Sequence, residues 1–200
     1  MFQPRNRQLP AALFLLSVFV AIAAAILNAQ DTKLPSGLRS FEIVPLETVS
    51  ETSSNASIGD LNGDGHPDIV LVKGRHWQVT TRVFYGDGAG HFTPGPPLPS
   101  NAVKSYSGSL ADMTKSGHLD IVLSNDQPDP KLVLLNDGKG NFRLGGTYGD
   151  PQWPTRNAAV GDLNGDGYPD IVAANRMSTS YFILLGLCRP VVNVDAVCCG

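Results

Sequence analysis

Apolar positions along the chain fall into two styles. Residues Ala11 to Leu27 form one continuous run with no charge and Ser17 as its single polar member. After residue 30 the apolar runs are short and rich in β-branched residues: Asp68 to Val72, Asp120 to Ser124 and Asp170 to Ala174 all open Asp-Ile-Val. A second set follows downstream at Val83 to Gly86, Leu132 to Leu135 and Phe182 to Gly186. Runs of this length, bounded by Gly, Asp and Asn, predict strands. No stretch beyond residue 30 keeps a 3.6-residue apolar period, so helix is scarce there.

The runs repeat. Gly59 to Val72, Ala111 to Ser124 and Gly161 to Ala174 align without gaps, their leading acids Asp60, Asp112 and Asp162 standing 52 and 50 residues apart. The first two copies continue into Gly-rich segments, Gly86 to Phe92 and Asn136 to Phe142, which read as hairpin turns with Phe re-entering a core. Each unit therefore reads as strand, acidic turn, strand, variable link, strand, Gly-rich turn, strand. Four short strands in about 50 residues is the size of one blade of a β-propeller. The links Thr93 to Ser100, with four prolines, and Gln127 to Pro130 are expected as surface loops.

The acidic turn carries the candidate chemistry. Asp60, Asn62 and Asp64 place oxygen side chains at positions 1, 3 and 5, Gly65 follows, and Asp68 stands at position 9. Alternate side chains of a sharply reversed loop can converge on one centre, and the backbone C=O of His66 at position 7 adds a fifth oxygen. An all-oxygen shell of three carboxylates suits calcium, whereas soft metals require Cys or His nitrogen. Asp162, Asn164, Asp166, Tyr168 through its C=O, and Asp170 repeat the set. Crowded carboxylates repel, so cation binding and folding of the turn are expected to be coupled. The middle copy keeps Asp112 and Asp120 but has Thr114 at position 3 and Ser116 at position 5. It is expected to hold its shape through Gly117 as a weak or lost site.

Helix-flanked calcium loops require an acid at position 12. Here that position is Leu71 or Ala173, inside the β-type runs. With Phe84 to Gly88 between them, Gly59 to Val72 and Gly161 to Ala174 resemble FG-GAP/VCBS repeats, similar to the calcium-binding blades of the integrin α-subunit β-propeller. The resemblance covers roughly residues 50 to 186. It implies a loop between the first two strands of a blade with ligands at positions 1, 3, 5, 7 and 9. It also implies a role among exported adhesion and recognition proteins. The expected fold is all-β: a partial β-propeller of about three four-stranded blades with calcium-binding turns, preceded by an N-terminal hydrophobic signal helix.

Propellers of this kind close with six or seven blades, more than 300 residues, and the chain has 200. Where the third repeat should turn through Asp-Gly-x-Gly-x-Phe, it continues as Leu187, Cys188, Arg189 and Pro190 to Cys198, Cys199 and Gly200. Residues 187–200 are therefore an atypical tail, from truncation or frameshift, or else three blades form an open array that meets another copy. All three Cys lie in that tail, so no disulfide framework holds the body, and an adjacent Cys pair has no zinc spacing.

Arg5 and Arg7 before the apolar run and Asp31 after it give the layout of a signal peptide cleaved near Ala29, with an uncleaved signal anchor as the competitor. Residues 1–29 are thus the signal, 30–49 a lead-in, 50–186 the repeats (about 50–100, 101–150 and 151–186). The destination is secreted, periplasmic or cell-surface, with membrane contact only if the segment is kept as an anchor. Fifteen Lys and Arg against 18 Asp and Glu exclude a nucleic-acid binder, because nothing would neutralise a run of phosphates. Removing the signal leaves 13 basic residues against 18 acidic, and eight of those acids occupy the three turns.

No catalytic motif is present, and His66, His76, His91 and His118 are scattered through turns. Side chains of His66 and His118, at position 7, are expected to be exposed and inert. Trp77 and Trp153 lie in links, where an indole can stack on a sugar, although packing is the ordinary fate of such a residue. Asn55 to Ser57 matches a glycosylation acceptor that leads straight into a strand, a chance match. The sequence thus describes a non-catalytic, calcium-binding module for extracellular protein or glycan recognition. Two alternatives stand: a non-catalytic segment of a larger secreted carbohydrate-active enzyme, and a purely structural calcium module.

Overall fold

The computed structural model describes residues 41–176 and 182–184, the last three as backbone. The signal segment 1–29 and the tail 187–200 lie outside the described residues. All the described strands lie in one compact unit that begins at Val44.

Eleven strands are described, and no helix is among the described residues. The first sheet contains β1 (Ser53–Gly59), β2 (Asp68–Lys73), β3 (Arg82–Gly86) and β4 (Phe92–Pro94) in that order. The second repeats it with β5 (Ser105–Ala111), β6 (Asp120–Asn125), β7 (Lys131–Asn136) and β8 (Phe142–Tyr148). The third has β9 (Thr155–Gly161), β10 (Asp170–Asn175) and β11 (Phe182–Leu184), three described strands where four were expected. All strand pairs are antiparallel. Register is shared: Gly59 pairs with Asp68, Ala111 with Asp120 and Gly161 with Asp170, so the same eight-residue loop closes each first hairpin.

Side-chain alternation along a strand explains how the sheets pack. In the second sheet, Ile121, Leu123, Leu132 and Leu134 point one way and meet Val70, Val72, Val83 and Leu61 of the first repeat. Val122, Val133, Leu135 and Tyr148 point the other way and meet Ala158, Ile171 and Ala173 of the third. A sheet buried on both faces needs continuous apolar runs, which is why β6 and β7 read as unbroken hydrophobic stretches.

Polar clasps add to this packing. Ser57 Oγ donates to Gly108 C=O, and the equivalent Ser109 Oγ donates to Ala158 C=O at 2.6 Å, each joining the first strand of one sheet to that of the next. The third copy has Ala159 at this position, and it is exposed. The Thr93 to Ser100 link is less superficial than expected, because Leu98 joins the core and Ser100 is buried.

Two buried lysines fasten the links. Lys73 Nζ lies 2.6 Å from Glu47 Oε2 and also meets Glu51, tying the lead-in to the first sheet. Burial pulls the Lys73 pKa down, but the two carboxylates outweigh it and the net shift is upward. Lys131 Nζ donates to the carbonyls of Asp150 and Pro151 at 3.0 Å and to that of Trp153, and burial pushes its pKa down to about 8.

Candidate functional site

In each intact loop the first acid organises the turn. Asp60 Oδ1 accepts the Gly63 N–H at 2.7 Å and Oδ2 accepts that of Gly65 at 2.9 Å. Asp162 does the same with Gly165 and Gly167 at 2.7 and 2.8 Å. The glycines suit this turn: φ is +76° at Gly63 and +85° at Gly65, the left-handed region that a side chain disfavours. Asn62 Oδ1 accepts the Asp64 N–H at 3.1 Å while its Nδ2 donates to Asp64 Oδ2 at 2.9 Å. Asp64 Oδ1 accepts the His66 N–H, and this bond, followed by the one from Asn62, lowers the Asp64 pKa. Asn164 and Asp166 repeat the arrangement, with Tyr168 N–H donating to Asp166 at 2.8 Å.

Position 9 behaves differently. Asp68 is fully buried; its Oδ2 accepts the Leu61 N–H at 2.8 Å and its Oδ1 accepts that of Gly86 at 2.9 Å. Asp120 does the same with Met113 at 2.9 Å and Asn136 at 2.8 Å. Asp170, also fully buried, accepts the Leu163 N–H at 2.8 Å. This acid pins the loop to the end of the third strand. Burial raises the Asp120 pKa against the two N–H bonds that lower it. The structure thus brings Asp60, Asn62 and Asp64 onto one exposed turn and sets Asp68 beneath it as an anchor. Among the described residues, no three His, Cys, Asp or Glu side chains gather around a common centre.

The middle loop has the same form with fewer acids. Asp112 accepts the N–H groups of Ser116 and Gly117 at 2.9 and 2.7 Å, and Gly117 has φ +84°. Lys115 takes the place of Gly63 and adopts φ +57°. Its ammonium sits 4.1 Å from the Tyr168 ring centroid, a cation–π contact to position 7 of the third loop. Backbone N–H groups already compensate the carboxylates, in a loop with two acids as in those with three.

At position 7 the histidine side chains are exposed as expected, yet they touch the neighbouring hairpin. His66 and His118 are exposed, but their rings lie on the hairpin glycines: a Cβ on Gly88 would stand 2.5 Å from His66 Nδ1, and one on Gly138 2.4 Å from His118 Cε1. Neighbouring repeats meet at this end too. Asn136 Nδ2 donates to the carbonyls of Leu61 and Leu119 at 2.7 and 3.0 Å, and the Tyr85 hydroxyl donates to Gly140 C=O.

The donor chemistry fits a hard divalent cation. Positions 1, 3, 5 and 7 offer only oxygen, and among the described residues no Lys, Arg or His forms an ion pair with Asp60, Asp64, Asp162 or Asp166. At position 9 each Asp68 oxygen accepts one N–H group and keeps a second lone pair. The residues that would hold the ion are thus Asp60, Asn62, Asp64, the His66 C=O and Asp68, which also shapes the loop. Asp162, Asn164, Asp166, the Tyr168 C=O and Asp170 are their counterparts.

These features define a class: a stack of repeated antiparallel sheets, each opened by an acidic glycine turn whose ninth residue is a buried carboxylate anchor. A family model described as FG-GAP-like repeat matches residues 60–123 and 112–173, and the chain belongs to that family. A comparison with curated proteins found no match.

Proposed function

We propose that this chain is an exported, calcium-binding repeat module of β-propeller type that serves extracellular protein or glycan recognition and carries out no catalysis. The single observation that carries this reading is the loop pair at Asp60 to Asp68 and Asp162 to Asp170. Each presents exposed carboxylate and amide oxygens, ordered by the loop's own N–H groups and left without a basic partner among the described residues. A calcium ion supplies the missing positive charge and cross-links positions 1 to 7. Residues 1–29 act as the export signal, 30–49 as the lead-in and 50–186 as the repeats.

The histidines support a non-catalytic role, each being engaged in the scaffold: His66 and His118 on hairpin glycines, His76 with Tyr106, and His91 Nδ1 on Asp87 at 2.7 Å. Two measurements test the proposal. Calcium raises the melting temperature of the wild-type chain, and Asp64→Ala combined with Asp166→Ala removes that rise; an unchanged rise refutes the ligand assignment. A glycan array and a protein pull-down, each with and without chelator, test recognition. Binding to neither sinks it and leaves a structural calcium module.

A further inference from the structure

At the strand ends opposite the acidic loops, the link after β2 makes a tight turn in which Trp77 N–H donates to Gly74 C=O at 2.8 Å. The turn is fixed to the next sheet. Arg75 N–H donates to Ser105 C=O at 2.9 Å, Gly74 bridges Ser105, and Val79 bridges Val103. Arg75 adopts φ +51°, a left-handed conformation that a long side chain takes at a cost. On this rigid turn Trp77 is 67% exposed, so the packing role ordinarily expected of such a residue does not hold here.

A braced aromatic cluster lies beside it. Tyr106 Oη and His76 Nδ1 are 3.0 Å apart and the two rings meet edge to face, with centroids at 5.8 Å. The Arg156 guanidinium lies 3.9 Å from the Tyr106 ring centroid and pairs with Asp126 at 2.8 Å. Three successive repeats thus contribute: His76 and Trp77 from the first, Tyr106 and Asp126 from the second, and Arg156 from the third. His76 keeps Nε2 for a further bond, since Nδ1 is engaged by Tyr106.

We infer that this turn is a saccharide-binding platform, with the sugar's C–H face on the Trp77 indole and its hydroxyls met by His76 and the polar rim. The inference rests on the recognition reading above and names its ligand class and place. A sugar is favoured over a protein surface because the apolar contact is a single ring. Arg75, His76 and Gln78 around it are exposed and polar, whereas a protein interface buries a wide apolar centre. One aromatic face ringed by a few hydrogen-bonding groups, pre-ordered by bridges and a strained turn, is the form of a small-ligand site.

The test is a calorimetric titration of the full chain with cellohexaose, chitohexaose and hexagalacturonate, the first two neutral or amide-bearing and the third anionic. At least one is expected to bind. Trp77→Ala should weaken that binding at least tenfold with an unchanged melting temperature, and His76→Ala several-fold, while Trp153→Ala leaves it intact. A wild-type chain that binds none of the three overturns the inference, as does binding that survives Trp77→Ala. Array or pull-down binding that survives Trp77→Ala removes this platform and leaves the recognition reading standing. Absence of all binding removes both.

Discussion

Replacing Asp120 by Ala best separates the anchor role of the ninth loop residue from cation binding, because Thr114 and Ser116 put neutral hydroxyls in place of the amide and carboxylate of the intact loops. Asp120 is fully buried, and its carboxylate accepts two backbone N–H groups, Met113 at 2.9 Å and Asn136 at 2.8 Å. Truncation leaves both donors unpaired, at roughly 1–3 kcal/mol each. Loop relaxation and admitted water recover part of that, so the expected loss is about 2–4 kcal/mol. Asp120→Asn keeps one acceptor oxygen and should lose about half as much. Urea unfolding in chelator reads both values from the shift in midpoint at constant slope. A loss below about 0.5 kcal/mol for Asp120→Ala, the range of an ordinary surface change, refutes the reasoning. The pH dependence has a defined sign. Burial raises the Asp120 pKa, so stability is highest below the ordinary value of 3.8 and falls as pH climbs through the raised value, on top of the two N–H bonds that the carboxyl oxygens accept in either protonation state. Asp120→Asn flattens the stability profile in that window.

Three further outcomes follow. Gly138→Ala must hold φ +79° and place a Cβ 2.4 Å from the His118 ring, so it should destabilise by more than about 1 kcal/mol in thermal melts. Adding His118→Ala relieves the clash but not the backbone strain, and full recovery would contradict this. Ser109→Ala removes the clasp to Ala158 C=O and should cost about 1 kcal/mol in urea unfolding; a neutral result assigns sheet association to the apolar core alone. The hydrogen bond from His91, then that from Ala89 N–H, holds Asp87 down to about 2. Its contribution is present above 3.8 and lost as pH falls toward about 2, so Asp87→Asn should flatten acid unfolding in that interval; an unchanged acid limb contradicts it.

The strand runs and glycine turns were legible because they are local signals. The Asp-Ile-Val runs became β2, β6 and β10, and the Gly-rich segments became the turns ahead of β4 and β8. Partnership between sheets was not legible, because the alternation of Ile121 and Val122 onto opposite neighbours depends on which sheets stack. The candidate loop was read in composition but not in division of labour. Spacing shows Asp68 as a candidate ligand but not its second role, in which register places it opposite Gly59 and within reach of Gly86 N–H, a residue 18 positions away. Lys73 and Lys131 were missed altogether, since a lysine closing or opening an apolar strand looks solvent-facing until its carboxylate or carbonyl partners arrive from distant links. Trp77 carried a sequence hint, but only its exposure on a bridged turn separates a binding residue from a packing one.

The first and third loops, and not the middle one, are proposed to hold calcium. Calorimetric titration of the metal-free chain with calcium tests this most directly. The expected result is two ions per chain, falling to none with Asp64→Ala plus Asp166→Ala and staying at two with Asp112→Ala. A wild-type chain that takes up no calcium, or a double variant that still binds two ions, would contradict it.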